Sequence, residues 1–135
     1  MKIVAAVIGM GIGAKHLEAI DGYVGSKVKI ICEKNKKKIQ ILKKKYPEKL
    51  ITSNEDDIFL DKQINLVSLA SYDNYHYSQI LKCFKYNKNI IVEKPMCLKP
   101  DQLKNIYKLI KLKKIKMVSN LALRVNSLFK DFKKK

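Results

Sequence analysis

The sequence predicts a doubly wound α/β domain: a parallel sheet of about six strands with helices on both faces. Three observations lead there. Short apolar runs alternate with helix-length amphipathic stretches, with no internal repeat and no linker-like segment. The first run, Ile3-Val4-Ala5-Ala6-Val7-Ile8, is apolar at every position and ends in glycine, as a strand buried on both faces of a parallel sheet requires. The chain has 135 residues, 47% of them hydrophobic, which is one domain with enough apolar material for a core.

The elements follow in order. After the Ile3–Ile8 strand, residues 13–24 turn helical, with Leu17, Ile20 and Val24 on one stripe. A second strand covers Val28 to Glu33. Asn35 can cap a helix running to about Tyr46, with Ile39, Leu42 and Tyr46 inward and lysines outward, until Pro47 stops it. Leu50-Ile51-Thr52 is a short third strand, and Asn54 to Asp57 opens one or two helical turns with acids at the positive end of the dipole. Ile64 to Ala70 is a fourth strand, followed by a helix over about Asp73 to Tyr86 that buries Ile80, Leu81 and Phe84. Asn89 to Val92 is the fifth strand. Pro100 opens a helix whose stripe is Leu103, Ile106, Tyr107 and Ile110. Met117 to Leu121 is the sixth strand, and the tail from about Asn126 reads as helical, with Leu128, Phe129 and Phe132. Parallel strands joined by helices require right-handed crossovers.

Composition excludes several classes. No apolar run approaches the roughly 18 residues of a membrane span, and the start lacks a cleavable leader pattern. Cys32, Cys83 and Cys97 are odd in number and form no C-x-x-C pair, so neither a disulfide framework nor a zinc site is expected, and a cytoplasmic location is. The net charge of +17 comes from 29 basic residues, of which only Arg124 is arginine. Nucleic-acid readers favour the planar arginine fork and stacking aromatics, and there is no tryptophan. No nucleic-acid partner is expected. Abundant Lys, Ile and Asn have the look of an A/T-biased coding sequence, with lysines simply solvated. The charge is nonetheless uneven, and its concentration in the second half could steer an anionic ligand.

The chemistry starts at Gly9-Met10-Gly11-Ile12-Gly13-Ala14, between the first strand and the first helix. Glycines there give a tight turn, let backbone N–H groups approach a pyrophosphate, and allow close helix–strand packing. The run fits G-x-G-x-x-G/A with Ala14 third, and Gly13 makes it a G-x-G-x-G variant. Glu33 lies 22 residues after Gly11 at the end of the second strand, near the roughly 20 expected of a ribose-binding acid. The expected cofactor is NAD, since Glu33 would accept from ribose hydroxyls and repel a 2′-phosphate. NADP is the alternative if Glu33 rotates out and Lys34, Lys36, Lys37 and Lys38 clamp the phosphate; those lysines also read as the solvated face of the second helix.

After the fifth strand comes Val92-Glu93-Lys94-Pro95, at the strand ends where such sheets bind ligands. A lysine there can hydrogen-bond a substrate hydroxyl and relay its proton, and Pro95 holds Lys94 extended. The whole chain resembles the amino-terminal Rossmann domain of the Gfo/Idh/MocA oxidoreductases, the glucose–fructose oxidoreductase and inositol dehydrogenase family. The resemblance rests on Gly9 to His16, on Ala70-Ser71-Tyr72-Asp73-Asn74-Tyr75-His76, and on Asn89 to Pro95. It implies that Lys94 assists catalysis beside Glu93. It also implies that Gly9, Met10, Gly11, Ile12 and Gly13 hold the cofactor, with further contacts from Glu93 and from Ser71, Tyr72 and His76 in a loop usually written Thr-Pro-Asn-x-x-His. Tyr72 and Asp73 depart from that pattern. Asn120 and Arg124 resemble an Asn…Arg pair bordering the active site.

His16 has two readings, packing against the loop after the fourth strand or a part in the site; His76 either bonds backbone or touches cofactor. No metal is expected. The resemblance implies hydride transfer at a hydroxyl carbon of a sugar, nucleotide sugar or polyol, with 1–135 as the dinucleotide-binding domain and the family's carboxy-terminal substrate domain absent. Such a domain alone is expected to bind cofactor without turnover and to self-associate as a homo-oligomer. The competing reading is a non-catalytic dinucleotide-binding module or scaffold.

Overall fold

The computed structural model describes residues 2–121. Six strands, β1 (Ile3–Ile8), β2 (Ser26–Cys32), β3 (Leu50–Thr52), β4 (Leu66–Leu69), β5 (Asn89–Val92) and β6 (Met117–Ser119), form one sheet in the order β3-β2-β1-β4-β5-β6. Every pairing is parallel. The helices are α1 (Gly13–Asp21), α2 (Lys36–Lys45), α3 (Asp56–Phe59), α4 (Asp73–Lys85) and α5 (Pro100–Leu112). This is the doubly wound Rossmann-like order, which reverses direction between β1 and β4.

Each face of the sheet carries its own core. On one, Leu17 and Ile20 of α1 and Leu42 of α2 pack on Ala5, Val7, Val28 and Ile31. On the other, Ile58 and Phe59 of α3, Ile80, Cys83 and Phe84 of α4 and Ile106 of α5 cover Ile8, Ile30, Val67, Leu69, Ile90 and Val92. Alternation along β2 is interrupted once. Ala5 pairs with Val28 but Ala6 pairs with Ile30, so Lys29 is the extra residue of a bulge. The bulge turns Val28 to the α1 face, while Ile30 and Cys32 face the other core.

Three helices differ from their expected extents or faces. The first stops at Asp21, and Val24 is 94% exposed rather than buried. The Ser26 hydroxyl donates its one hydrogen between the carbonyls of Ile20 and Tyr23, and the Asp21 carboxylate accepts from the Val28 N–H at 2.7 Å and pairs with Lys49 at 2.8 Å. These polar bonds fold the chain back into β2 before Val24 can complete its stripe. In α5 only Ile106 of the expected stripe is buried, whereas Leu103 and Tyr107 are half or more exposed. Polar groups set the rotation instead. Gln102 Oε1 accepts from the N–H groups of Leu98 and Lys99, and Asn105 Nδ2 donates to the Tyr77 hydroxyl at 2.8 Å. In α4, Cys83 rather than Leu81 joins Ile80 and Phe84 in the core. The expected tail helix from Asn126 lies outside the described residues.

The ladder continues one residue past several strands. Gly9 N–H donates to Cys32 O, Glu33 to Thr52 O, Ala70 to Ile8 O, Glu93 to Leu69 O and Asn120 to Val92 O, all at 2.8–2.9 Å. These bonds fix five chain positions side by side along the carboxyl edge of the sheet.

Candidate functional site

The glycine turn crosses that edge where the strand order reverses, and each of its three glycines answers a different constraint. Gly9 has φ +88°, and a Cβ there would sit 2.5 Å from the Ala70 carbonyl oxygen. Gly13 lies so close to β1 that a Cβ would come 2.9 Å from Val7 Cγ1 and 3.1 Å from Ala70 Cβ. Close helix–strand packing therefore falls on Gly13 rather than on Ala14. Gly11 is the opposite case: a Cβ would meet nothing within 4 Å. The space above it is open, and the N–H groups of Gly11, Ile12 and Gly13 find no acceptor among the described residues. Free donors at the amino end of a helix, beside an open backbone, fit a pyrophosphate.

Glu33 closes the neighbouring wall. It is buried, with Oε2 accepting from Met10 N–H at 3.1 Å and Oε1 from Asn35 N–H at 2.9 Å. Each oxygen keeps a lone pair, so the carboxylate is held in place and can still accept from a ligand hydroxyl. The Lys34 ammonium is engaged, donating to Ser53 O at 2.8 Å. Glu33 and the glycine turn line a cleft of about 240 Å³, together with Cys32, Lys34, Lys38, Glu55, Ser71, Tyr72 and Tyr75. Burial pushes the Cys32 thiol up to about 11, so it is a neutral wall and not a nucleophile.

A second group of polar side chains lies at β5. His16 Nδ1 is 2.6 Å from Ser68 Oγ, and its Nε2 is 2.8 Å from Glu93 Oε1. Asn120 Nδ2 donates to the same Glu93 oxygen at 2.6 Å. A carboxylate only accepts, so Nε2 of His16 donates to Glu93, while Nδ1 shares a hydrogen bond with the Ser68 hydroxyl. Burial opposes ionisation of Glu93, but Asn120, His16 and the Lys94 N–H together hold its carboxyl below the ordinary value. Lys94 follows directly, exposed, with no ion-pair partner among the described residues, and the Lys94–Pro95 bond is cis. A lowered folded pKa makes Glu93 stabilising above its unfolded value, and that contribution is lost as pH falls through the folded one. Glu93→Gln is expected to cost about 1–3 kcal/mol at pH 7 and to lose less further stability than wild type between pH 6 and 3 in urea melts. Parallel pH slopes would contradict this.

The structure brings Gly9, Met10, Gly11, Glu33, Lys34, Ser71 and Tyr72 to one cleft. Ile12, at the start of α1, is half exposed beside it. His76 is not on the cleft surface. It is 1% exposed, and its ring nitrogens lie 2.8 Å from Pro95 O and 3.0 Å from Ser71 O, tying the β4–α4 loop to the turn after β5. Both partners are carbonyls, so each bond is made by a ring N–H. Arg124 lies outside the described residues. Glu55, Gln79 and Ser68 were not expected from sequence. Ser68 alone carried a signal, being the one hydroxyl inside the apolar fourth strand.

The sequence model of the family described as an oxidoreductase family with an NAD-binding Rossmann fold, GFO_IDH_MocA, matches residues 3–120. An uncharacterized oxidoreductase of Synechocystis sp. is 23% identical over 124 residues, 91% of this chain and 33% of its own. Among solved structures, scyllo-inositol dehydrogenase from Lactobacillus casei with bound NAD(H) and scyllo-inositol superposes with a TM-score of 0.88 at 19% identity, covering 99% of this chain and 40% of that one. Myo-inositol 2-dehydrogenase from Lactobacillus plantarum gives 0.87 at 20% identity, with the same coverage. The chain thus spans a third to two-fifths of the length of these relatives.

Proposed function

The chain belongs to the Gfo/Idh/MocA oxidoreductase family, with its NAD-binding Rossmann fold, and from that premise we propose that it is the cofactor-binding half of an NAD-dependent sugar or polyol dehydrogenase. The observation that carries the reading is the open backbone at Gly11 with three N–H groups that find no acceptor among the described residues, next to the anchored Glu33, which accepts from the neighbouring Met10 N–H. Gly11 and Ile12 would hold the pyrophosphate, and Glu33 the adenosine ribose hydroxyls. Two backbone N–H bonds keep Glu33 in the cleft, which supports NAD over NADP, and Lys34 is engaged elsewhere.

When bound, NAD supplies the hydride acceptor. The residues around it position and move protons. Lys94, exposed and without an ion-pair partner among the described residues, stands at the carboxyl edge, able to hydrogen-bond a substrate hydroxyl and relay its proton as the carbon is oxidised. Glu93, bonded to His16 and Asn120, fixes the chain position from which Lys94 departs. Asn120 thereby lies beside the substrate side, as a positioning group. A polyol or sugar substrate is supported by the inositol dehydrogenases among the structural relatives. The free cysteines suit a reducing cytoplasm.

The test is cofactor choice. Glu33→Ala is expected to weaken NAD by about 10- to 100-fold, the worth of hydrogen bonds to a charged group, and to raise the NADP/NAD affinity ratio. Calorimetric titration of both dinucleotides reads this. A wild-type chain that already prefers NADP would show the specificity reading to be wrong.

A further inference from the structure

We infer that Glu55 reads the exocyclic amine of the adenine ring, so that the cleft selects adenine over a purine with a carbonyl at that position. The inference rests on the NAD reading above and adds a base-specific residue to it.

Glu55 lines the same cleft as the glycine turn and Glu33. At about 240 Å³ the cleft is smaller than the roughly 300–1,000 Å³ of pockets enclosing a drug-sized ligand, so it suits one end of a dinucleotide. With the pyrophosphate at Gly11 and the ribose at Glu33, that end is the base. Of the remaining polar lining groups, the Lys34 ammonium is held by Ser53 O, the Ser71 hydroxyl by Gln79, and Lys38 is solvent-exposed. The apolar and aromatic walls, Ile8, the neutral Cys32, Ala70, Tyr72 and Tyr75, offer a purine flat contact but no means of telling one base from another.

Glu55 offers one. Its side chain is 17% exposed and is aimed by a chain of hydrogen bonds that starts in the β4–α4 loop. Ser71 Oγ donates to Gln79 Oε1 at 2.7 Å, which fixes the Gln79 amide, and Gln79 Nε2 donates to Glu55 Oε1 at 2.8 Å. Among the described residues Oε2 has only Lys82 Nζ, at 3.4 Å, longer than the roughly 2.7–2.9 Å of a good charge-assisted bond. That oxygen has acceptor capacity to spare. An ionised carboxylate can only accept, so it pairs with an amine and opposes a carbonyl. Adenine carries an amine at C6; hypoxanthine carries an oxygen there. A site built around a largely buried acceptor discriminates against a ligand lacking the donor, because the acceptor is then left unpaired.

The experiment is calorimetric titration of the chain, wild type and Glu55→Gln, with NAD and with nicotinamide hypoxanthine dinucleotide. Wild type is expected to bind NAD at least tenfold more tightly than the hypoxanthine analogue, about 1.4 kcal/mol. In Glu55→Gln the preference is expected to fall below about threefold, because the amide can donate to the hypoxanthine oxygen. Equal wild-type affinities, or a preference that survives Glu55→Gln, would overturn the role of Glu55 while leaving the NAD reading standing. If wild type bound neither dinucleotide, the NAD reading itself would fall, and this inference with it.

Discussion

Gly11→Val is expected to abolish NAD binding while leaving the fold intact. The two halves of that result come from one observation. A Cβ at Gly11 meets no atom within 4 Å, and Gly11 is not among the glycines with positive φ, so valine is accommodated without strain. Its lower unfolded-state entropy even favours the fold slightly. The melting temperature should stay within about 3 °C of wild type, since each kcal/mol moves a domain of this size by roughly 2–8 °C. Yet the open space is where the pyrophosphate must approach the N–H groups of Gly11 and Ile12, and the branched side chain fills it. A loss of at least about 100-fold, or some 2.8 kcal/mol, should appear in calorimetry. Unchanged affinity in a folded variant would remove the glycine turn from the site.

Gly9→Ala is expected to do the reverse and attack the fold. Its φ of +88° is costly for any residue with a Cβ, by about 1–2 kcal/mol. The added atom would also lie 2.5 Å from Ala70 O, 2.7 Å from Ala70 C and 2.8 Å from Ser71 Cα, all backbone. Relieving those contacts means moving the end of β4, whose Ala70 N–H bonds Ile8 O at 2.8 Å. A total of about 3–5 kcal/mol is a large share of the roughly 5–15 kcal/mol that holds a domain together. The expected readout is a fall in melting temperature of about 12–20 °C. A variant as stable as wild type would mean the turn can reshape. Gly13 is the milder case, since its closest contact is a side chain, Val7 Cγ1 at 2.9 Å, which can yield.

The strand–helix alternation was legible because each strand is a local apolar run, and β1, β3 and β5 have the extents the sequence predicts. The glycine turn and Glu33 were legible because their constraints are also local: a tight turn, then an acid at a strand end. What spacing could not show is set by long-range polar bonds. His16 meets Ser68 across 52 positions and Glu93 across 77. Hydrophobic periodicity carries no trace of such partners. The same blindness explains α5, where Asn105 and Gln102 turned the helix away from its most apolar stripe, and α1, where Asp21 and Ser26 ended it early. Glu55 read as a helix-opening acid, and only folding places it in the cleft with Glu33.

The central claim is that NAD seats on the glycine turn, and amide-resolved NMR of the isotope-labelled chain titrated with NAD tests it most directly. Saturable shifts are expected to be largest at the N–H groups of Gly11, Ile12 and Gly13, which are free to donate to phosphate, with smaller shifts at Met10 and Asn35 beside Glu33. The groove lined by Ile3, Leu66, Ile91 and Val118, at the other end of the sheet, should be silent. Saturable shifts confined to that groove, or none at the glycine turn at millimolar NAD, would contradict the account.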